Sequence, residues 1–135
     1  MPTLILTAQA LRREVANAAD VQQTTPCSCA LVACAGWESL SEDRWPGTQM
    51  RQVATLRDPG VDEPTFEEYH PEGTRYDAAE APVAVAFFPY NRCDLWQCSA
   101  CNSFVLRYTE FGGYYVDHRV RKLRPELIVD PFATT

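Results

Sequence analysis

Two cysteines, Cys98 and Cys101, constrain this chain more than any other feature. They sit in the run Asp94-Leu-Trp-Gln-Cys-Ser-Ala-Cys-Asn-Ser-Phe-Val-Leu-Arg-Tyr108. A Cys-x-x-Cys turn leading into a strand aims two thiolates at one point, which is half of a tetrahedral zinc site. A second group, Cys27, Cys29 and Cys34, lies far upstream and could supply the other half. An ion held in this way ties remote stretches of chain together, so metal binding and folding become one event.

Spacing does not fix which four residues bind; the expected ligands are Cys27, Cys29, Cys98 and Cys101, with Cys34, Cys93 and His118 in reserve. Cys34 lies in the apolar run Ala30-Leu-Val-Ala-Cys-Ala-Gly-Trp37 and reads first as a small buried hydrophobe. Cys93, in Asn91-Arg-Cys-Asp94, reads equally as an exposed thiol. His118 reads first as a core histidine satisfied by a hydrogen bond, and second as a ligand. Thiolate-rich ligation suits zinc in a structural role; iron or an iron–sulfur cluster is the second choice.

At 135 residues the chain has the size of one domain spanning 1–135, and 46% hydrophobic residues mark it as globular. No apolar run approaches the ~20 residues needed to cross a bilayer, so no membrane association is expected. Met1-Pro-Thr-Leu-Ile-Leu-Thr7 lacks the basic start of a secretory signal. The expected compartment is therefore the cytoplasm, where cysteines bind metal or stay as thiols rather than form disulfides.

A net charge of −6 argues against a nucleic-acid surface, whose affinity comes mostly from Lys and Arg. One basic stretch, Arg119, Arg121, Lys122 and Arg124, is what a nucleic-acid adaptor would use. With the rest of the chain acidic, it reads better as a solvated strand edge or helix face. The acidity instead favours a basic protein partner.

Thr7 can cap a helix over 8–19, where Ala8, Leu11, Val15 and Ala18 form one apolar stripe. Residues 49–57 read as a strand. The stretch 58–82 is rich in Pro, Gly, Asp and Glu and reads as a long surface loop, mobile or partner-facing, with Phe66, Tyr69 and Tyr76 as aromatic anchors. Residues 83–88 read as a central strand and 104–109 as a half-buried one. Phe111-Gly-Gly113 marks a hairpin turn. Tyr114, Val116, His118 and Val120 then face inward on the return strand, with Tyr115, Asp117, Arg119 and Arg121 opposite. These elements predict an α+β fold: an antiparallel sheet of about four strands, an N-terminal helix and a cysteine cluster.

Trp96-Gln-Cys98-x-x-Cys101 followed by a glycine-turned hairpin resembles one knuckle of a zinc-ribbon domain, over about residues 93–121. The run Leu106-Arg-Tyr-Thr-Glu-Phe-Gly-Gly-Tyr-Tyr-Val-Asp-His-Arg-Val-Arg121 is similar to a family of small uncharacterised bacterial proteins. The first resemblance implies zinc; the second implies no activity.

No phosphate loop, dinucleotide fingerprint or serine nucleophile elbow occurs. Redox use of Cys98 and Cys101 wants a helix N-terminus, whereas the residues that follow alternate like a strand. Glu67-Glu68 and Asp62-Glu63 read as solvated charge, and Tyr108, Tyr114 and Tyr115 as sheet packing. The chain is therefore expected to be a cytosolic, zinc-stabilised interaction protein without catalytic residues, of the kind that serves as an immunity protein or antitoxin. The alternatives are a metal- or thiol-dependent enzyme, with His118 replacing one cysteine, and a nucleic-acid adaptor.

Overall fold

The residues that alternate most regularly in sequence form the longest strand. Phe104–Phe111 (β5) lies between Asp94–Cys98 (β4) and Val116–Lys122 (β6), antiparallel to both. Met50–Thr55 (β3) adds antiparallel to β4, with a register shift between Gln52 and Ala54. Two short strands close the flanks: Thr3–Leu4 (β1) runs parallel to β3, and Glu38–Ser39 (β2) runs antiparallel to β6. The computed structural model describes residues 3–18, 36–99, 103–111, 114 and 116–131. Within them the fold is α+β, with a mixed six-stranded sheet in the order β1-β3-β4-β5-β6-β2. Two-residue flank strands carry too little periodicity to show in sequence, and β4 is missing from the four strands expected there, which include 83–88 instead.

The helix Ala8–Ala18 (α1) begins where Thr7 Oγ1 accepts the Ala10 N–H at 3.1 Å, the N-cap expected from sequence. Ala8, Leu11 and Val15 are buried on its inner stripe. Arg12 extends from the helix to the Ile128 carbonyl, 2.6 Å away. The helix covers one face of the sheet, over a core that includes Ile5, Ala54, Leu56, Leu95, Leu106 and Tyr108. The other face carries a smaller cluster, Leu40, Met50, Cys98, Val105 and Val120, with Trp45 and Trp96 packed against it. No helix among the described residues is long and apolar enough to cross a membrane.

Two expectations are corrected. Residues 83–88 are not a strand: Val83 makes a single parallel bridge with Ile128, and the chain then turns through Phe87 N–H to the Ala84 carbonyl at 2.9 Å. The segment is apolar because it runs through the core, and Pro82 and Pro89, which lack an N–H, flank it. Nor does β6 keep one face inward. Val120 and Arg121 are both fully buried, while Tyr114 and Val116 stand in solvent. Covering chain lies on both sides of the second half of β6, so inward and outward lose their meaning there.

The 58–82 stretch contains no helix or strand, as expected, but arginines flanking the strands, Arg57 after β3 and Arg92 before β4, fasten it. Arg57 donates to the carbonyls of Asp58, Val61 and Asp62, and Arg92 to those of Pro64 and Thr65. Farther along, Trp37 stacks on Tyr76 at 6.2 Å. That contact needs a close approach at Gly36, where a Cβ would fall 2.2 Å from the Asp77 carbonyl oxygen.

Candidate functional site

Cys98 ends β4, buried on the smaller face of the sheet, where Gln49 Nε2 approaches its sulfur at 3.4 Å. Cys93 precedes the same strand and is buried in the larger core on the opposite face, its thiol donating to the Pro89 carbonyl at 3.3 Å. Cys93 is thus not an exposed thiol. Burial, and next the charge of Asp94, push its pKa up, so it stays neutral.

His118 pairs in register with Thr109, while Cys98 bonds to Ser103. Thr109 lies six residue steps along the strand from Ser103, ~20 Å at about 3.4 Å per residue. An ion bound through Cys98 therefore reaches neither Cys93 nor His118. Among the described residues no three His, Cys, Asp or Glu side chains converge as metal ligands. Cys27, Cys29, Cys34 and Cys101 lie outside the described residues.

His118 is held at both nitrogens. Nδ1 lies 3.0 Å from Thr109 Oγ1 and Nε2 3.2 Å from Glu42 Oε1. A hydroxyl, an imidazole and a carboxylate in a row have the order of a hydrolytic triad. Here Arg107 Nη2 already holds the same Glu42 oxygen at 2.5 Å, and the Arg107 guanidinium lies 4.3 Å from the Trp45 ring centroid. The arrangement fastens the 41–49 segment to the sheet, and Trp45 meets Trp96 edge-on at 5.4 Å.

Of the stretch that a nucleic-acid adaptor would use, the three arginines are engaged within the chain. Arg121 is buried and bonds to the Ala81 carbonyl at 2.7 Å. Arg119 faces Glu110 at 3.0 Å and Asp117 at 3.3 Å, and Arg124 faces Glu126 at 2.9 Å.

The surface is open where β4 begins. A hollow of about 800 Å³ is lined by Thr55, Asp94, Trp96 and Arg107 from the sheet and by Asp62, Glu63 and Phe66 from the 58–82 stretch. A second hollow of about 640 Å³ adjoins it, lined by Tyr76, Phe88, Glu110 and Arg119 among others. The two share Phe66, Arg92, Tyr108, Thr109 and Phe111 and form one groove. Phe66 and Phe111 are 72% and 78% exposed, unusual for phenylalanine on a monomer surface.

The polar lining is unequal in what it can still bond. Arg92 lies between loop carbonyls and the Phe66 ring, 4.1 Å from its centroid. Arg57 is directed to its own loop, Arg107 to Glu42, and Arg119 to Glu110 and Asp117. By contrast, the carboxylates of Asp62, Glu63 and Asp94 have no hydrogen bond or ion pair among the described residues. Tyr76 and Tyr108 share a short hydroxyl–hydroxyl bond. Burial raises both their pKa values, so the pair is a neutral contact and not a base.

Compared with known proteins, the chain matches no family model, no curated protein and no solved structure. Of the groove, sequence reading singles out Asp62, Glu63, Phe66, Tyr76 and Tyr108 but assigns the acids to solvent and Tyr108 to packing. Arg57, Arg92 and Asp94 carry no spacing signal, because the groove is assembled from a loop and a strand start far apart in sequence.

Proposed function

We propose that this protein is a cytosolic binding domain whose groove takes a basic segment of a protein partner, in the manner of an immunity protein or antitoxin. The observation that carries the reading is that the carboxylates of Asp62, Glu63 and Asp94 have no partner among the described residues, beside arginines already engaged with the chain itself. The overall charge of −6 adds long-range attraction for a basic surface and speeds encounter. Exposed Phe66 and Phe111 offer the aromatic contacts that dominate protein interfaces.

The test is capture from a bacterial lysate at low salt, comparing the natural chain with an Asp62→Lys, Glu63→Lys variant. Retention of a basic protein by the natural chain alone, released by moderate salt, supports the proposal. Equal retention by both chains, or retention of nucleic acid, overturns it.

The same proposal includes a structural zinc held by Cys27, Cys29, Cys98 and Cys101. Its support is the Cys-x-x-Cys spacing together with the burial of Cys98 where β4 turns back toward β5. Such an ion would secure the domain without entering the groove chemistry. Elemental analysis of protein purified without chelator tests it. One zinc per chain, lost on Cys98→Ser and kept on Cys93→Ala, is the expected result. A metal-free natural chain, or a brown protein containing iron, refutes it.

A further inference from the structure

The groove follows an incomplete ladder. β4 pairs with β5 only from Gln97–Phe104 to Asp94–Arg107, whereas β6 pairs with β5 as far as Phe111. Before Asp94 the chain leaves the sheet through the 3-10 turn Tyr90–Arg92, and the Cys93 carbonyl is taken by Leu56 N–H at 2.8 Å. Among the described residues the last four of β5 therefore have a strand neighbour on one side only.

The bonding parity of β5 shows which groups this leaves. The Phe104 carbonyl accepts from Leu123 N–H on the β6 side, and the Ser103 carbonyl accepts from Cys98 N–H on the β4 side. Successive residues of a strand alternate, so Thr109 and Phe111 direct both N–H and C=O toward the line β4 would have followed. Neither backbone has a partner among the described residues. Thr109 and Phe111 line both hollows, so the space beside this edge is open groove.

We infer that the β5 edge at Thr109–Phe111 binds an extended basic peptide segment by strand addition, with the peptide lying where β4 would continue. The inference rests on the binding reading above and names its geometry. Main-chain bonds to Thr109 and Phe111 would supply register, and alternate side chains would fall on opposite faces of the sheet. Lys or Arg on the sheet face that carries Asp94 would meet that carboxylate and those of Asp62 and Glu63. A second copy of this chain is the disfavoured occupant, because a charge of −6 repels its own kind.

The probe is a synthetic heptapeptide alternating lysine with valine or threonine, blocked at both ends, titrated into isotopically labelled full-length protein. Binding should slow hydrogen exchange at the Thr109 and Phe111 amides at least tenfold. N-methylation of alternate peptide amides along one edge should weaken binding at least tenfold, and along the other edge leave it unchanged. A Thr109→Pro variant, which removes an outward N–H, should bind correspondingly less.

Binding that tolerates N-methylation on either edge overturns strand addition while leaving the basic-partner reading intact. Binding of a glutamate-for-lysine peptide in preference to the lysine one overturns both. Protection of the same two amides by self-association alone, seen as dimers in sedimentation, overturns the choice of occupant.

Discussion

Arg121 donates a hydrogen bond to the Tyr90 hydroxyl from a position wholly screened from solvent. Among the described residues its other hydrogen bonds go to the carbonyls of Ala79 and Ala81, at 3.1 and 2.7 Å. A buried guanidinium held by neutral acceptors depends on each of them, since its desolvation is offset by hydrogen bonds alone. Arg121→Ala leaves two carbonyls unsatisfied and a large void, and is expected to cost about 3–5 kcal/mol. Tyr90→Phe removes one acceptor and should cost about 1–3 kcal/mol. Urea unfolding followed by circular dichroism measures both; a loss below about 1 kcal/mol for Arg121→Ala would contradict this account.

Alkaline pH should unfold the protein through its buried hydroxyls. Burial pushes Tyr90 up to about 12 from its ordinary 10.0, and Tyr76 and Tyr108 are raised as well. The unfolded chain releases these protons first. Their contribution is therefore complete below about pH 10 and disappears as pH climbs toward 12. Tyr90 alone withdraws about 3 kcal/mol over that span. Melting temperature measured from pH 8 to 12, alongside the NMR ring signals of Tyr76, Tyr90 and Tyr108, should show their ionisation and unfolding coinciding. Ionisation of Tyr90 near pH 10 in a folded chain would refute the burial argument.

Cys93 should be inert while the chain is folded. Its sulfur is inaccessible and its thiol neutral, so a thiol-labelling reagent at pH 8 should modify it only after denaturant is added. Cys93→Ala should cost about 1 kcal/mol by leaving a small cavity. Fast labelling of the native protein at this residue, located by mass spectrometry, would contradict its placement.

Trp45 should anchor the 41–49 segment. Its ring lies under Arg107 and against Trp96, so Trp45→Ala removes a cation–π contact and an aromatic pair together, about 2–3 kcal/mol. Glu42→Gln, at a side chain 64% exposed, should cost under about 1 kcal/mol. Urea unfolding of the two variants checks the order. Equal losses would mean that the ion pair, not the ring, holds the segment.

Patterns confined to one element are legible in the sequence, and those assembled from several are not. Thr7 with the stripe Ala8, Leu11 and Val15 announces α1, and the alternation of 104–109 announces β5, because each reports a pattern within one element. Residues 83–88 mislead: continuous apolarity records burial without saying whether the segment is paired. Arg121 misleads in the opposite direction, since a charged residue in alternation reads as solvent-facing until its acceptors, Tyr90, Ala79 and Ala81, are seen around it. For the groove, the alternating residues Thr109 and Phe111 are legible as strand, yet their empty neighbour position depends on where β4 stops. Asp94 begins that strand with no marker beyond the turn preceding it.

The strand order has a bearing on how the chain is made. β1 rests on β3, β3 on β4, and β2 on β6, so among the described residues the first forty supply both flanks of the sheet and none of its four central strands. A ribosome delivers those flanks long before the meander that must receive them. Assembly must then run against the direction of synthesis, leaving the earliest-made segments waiting for the last.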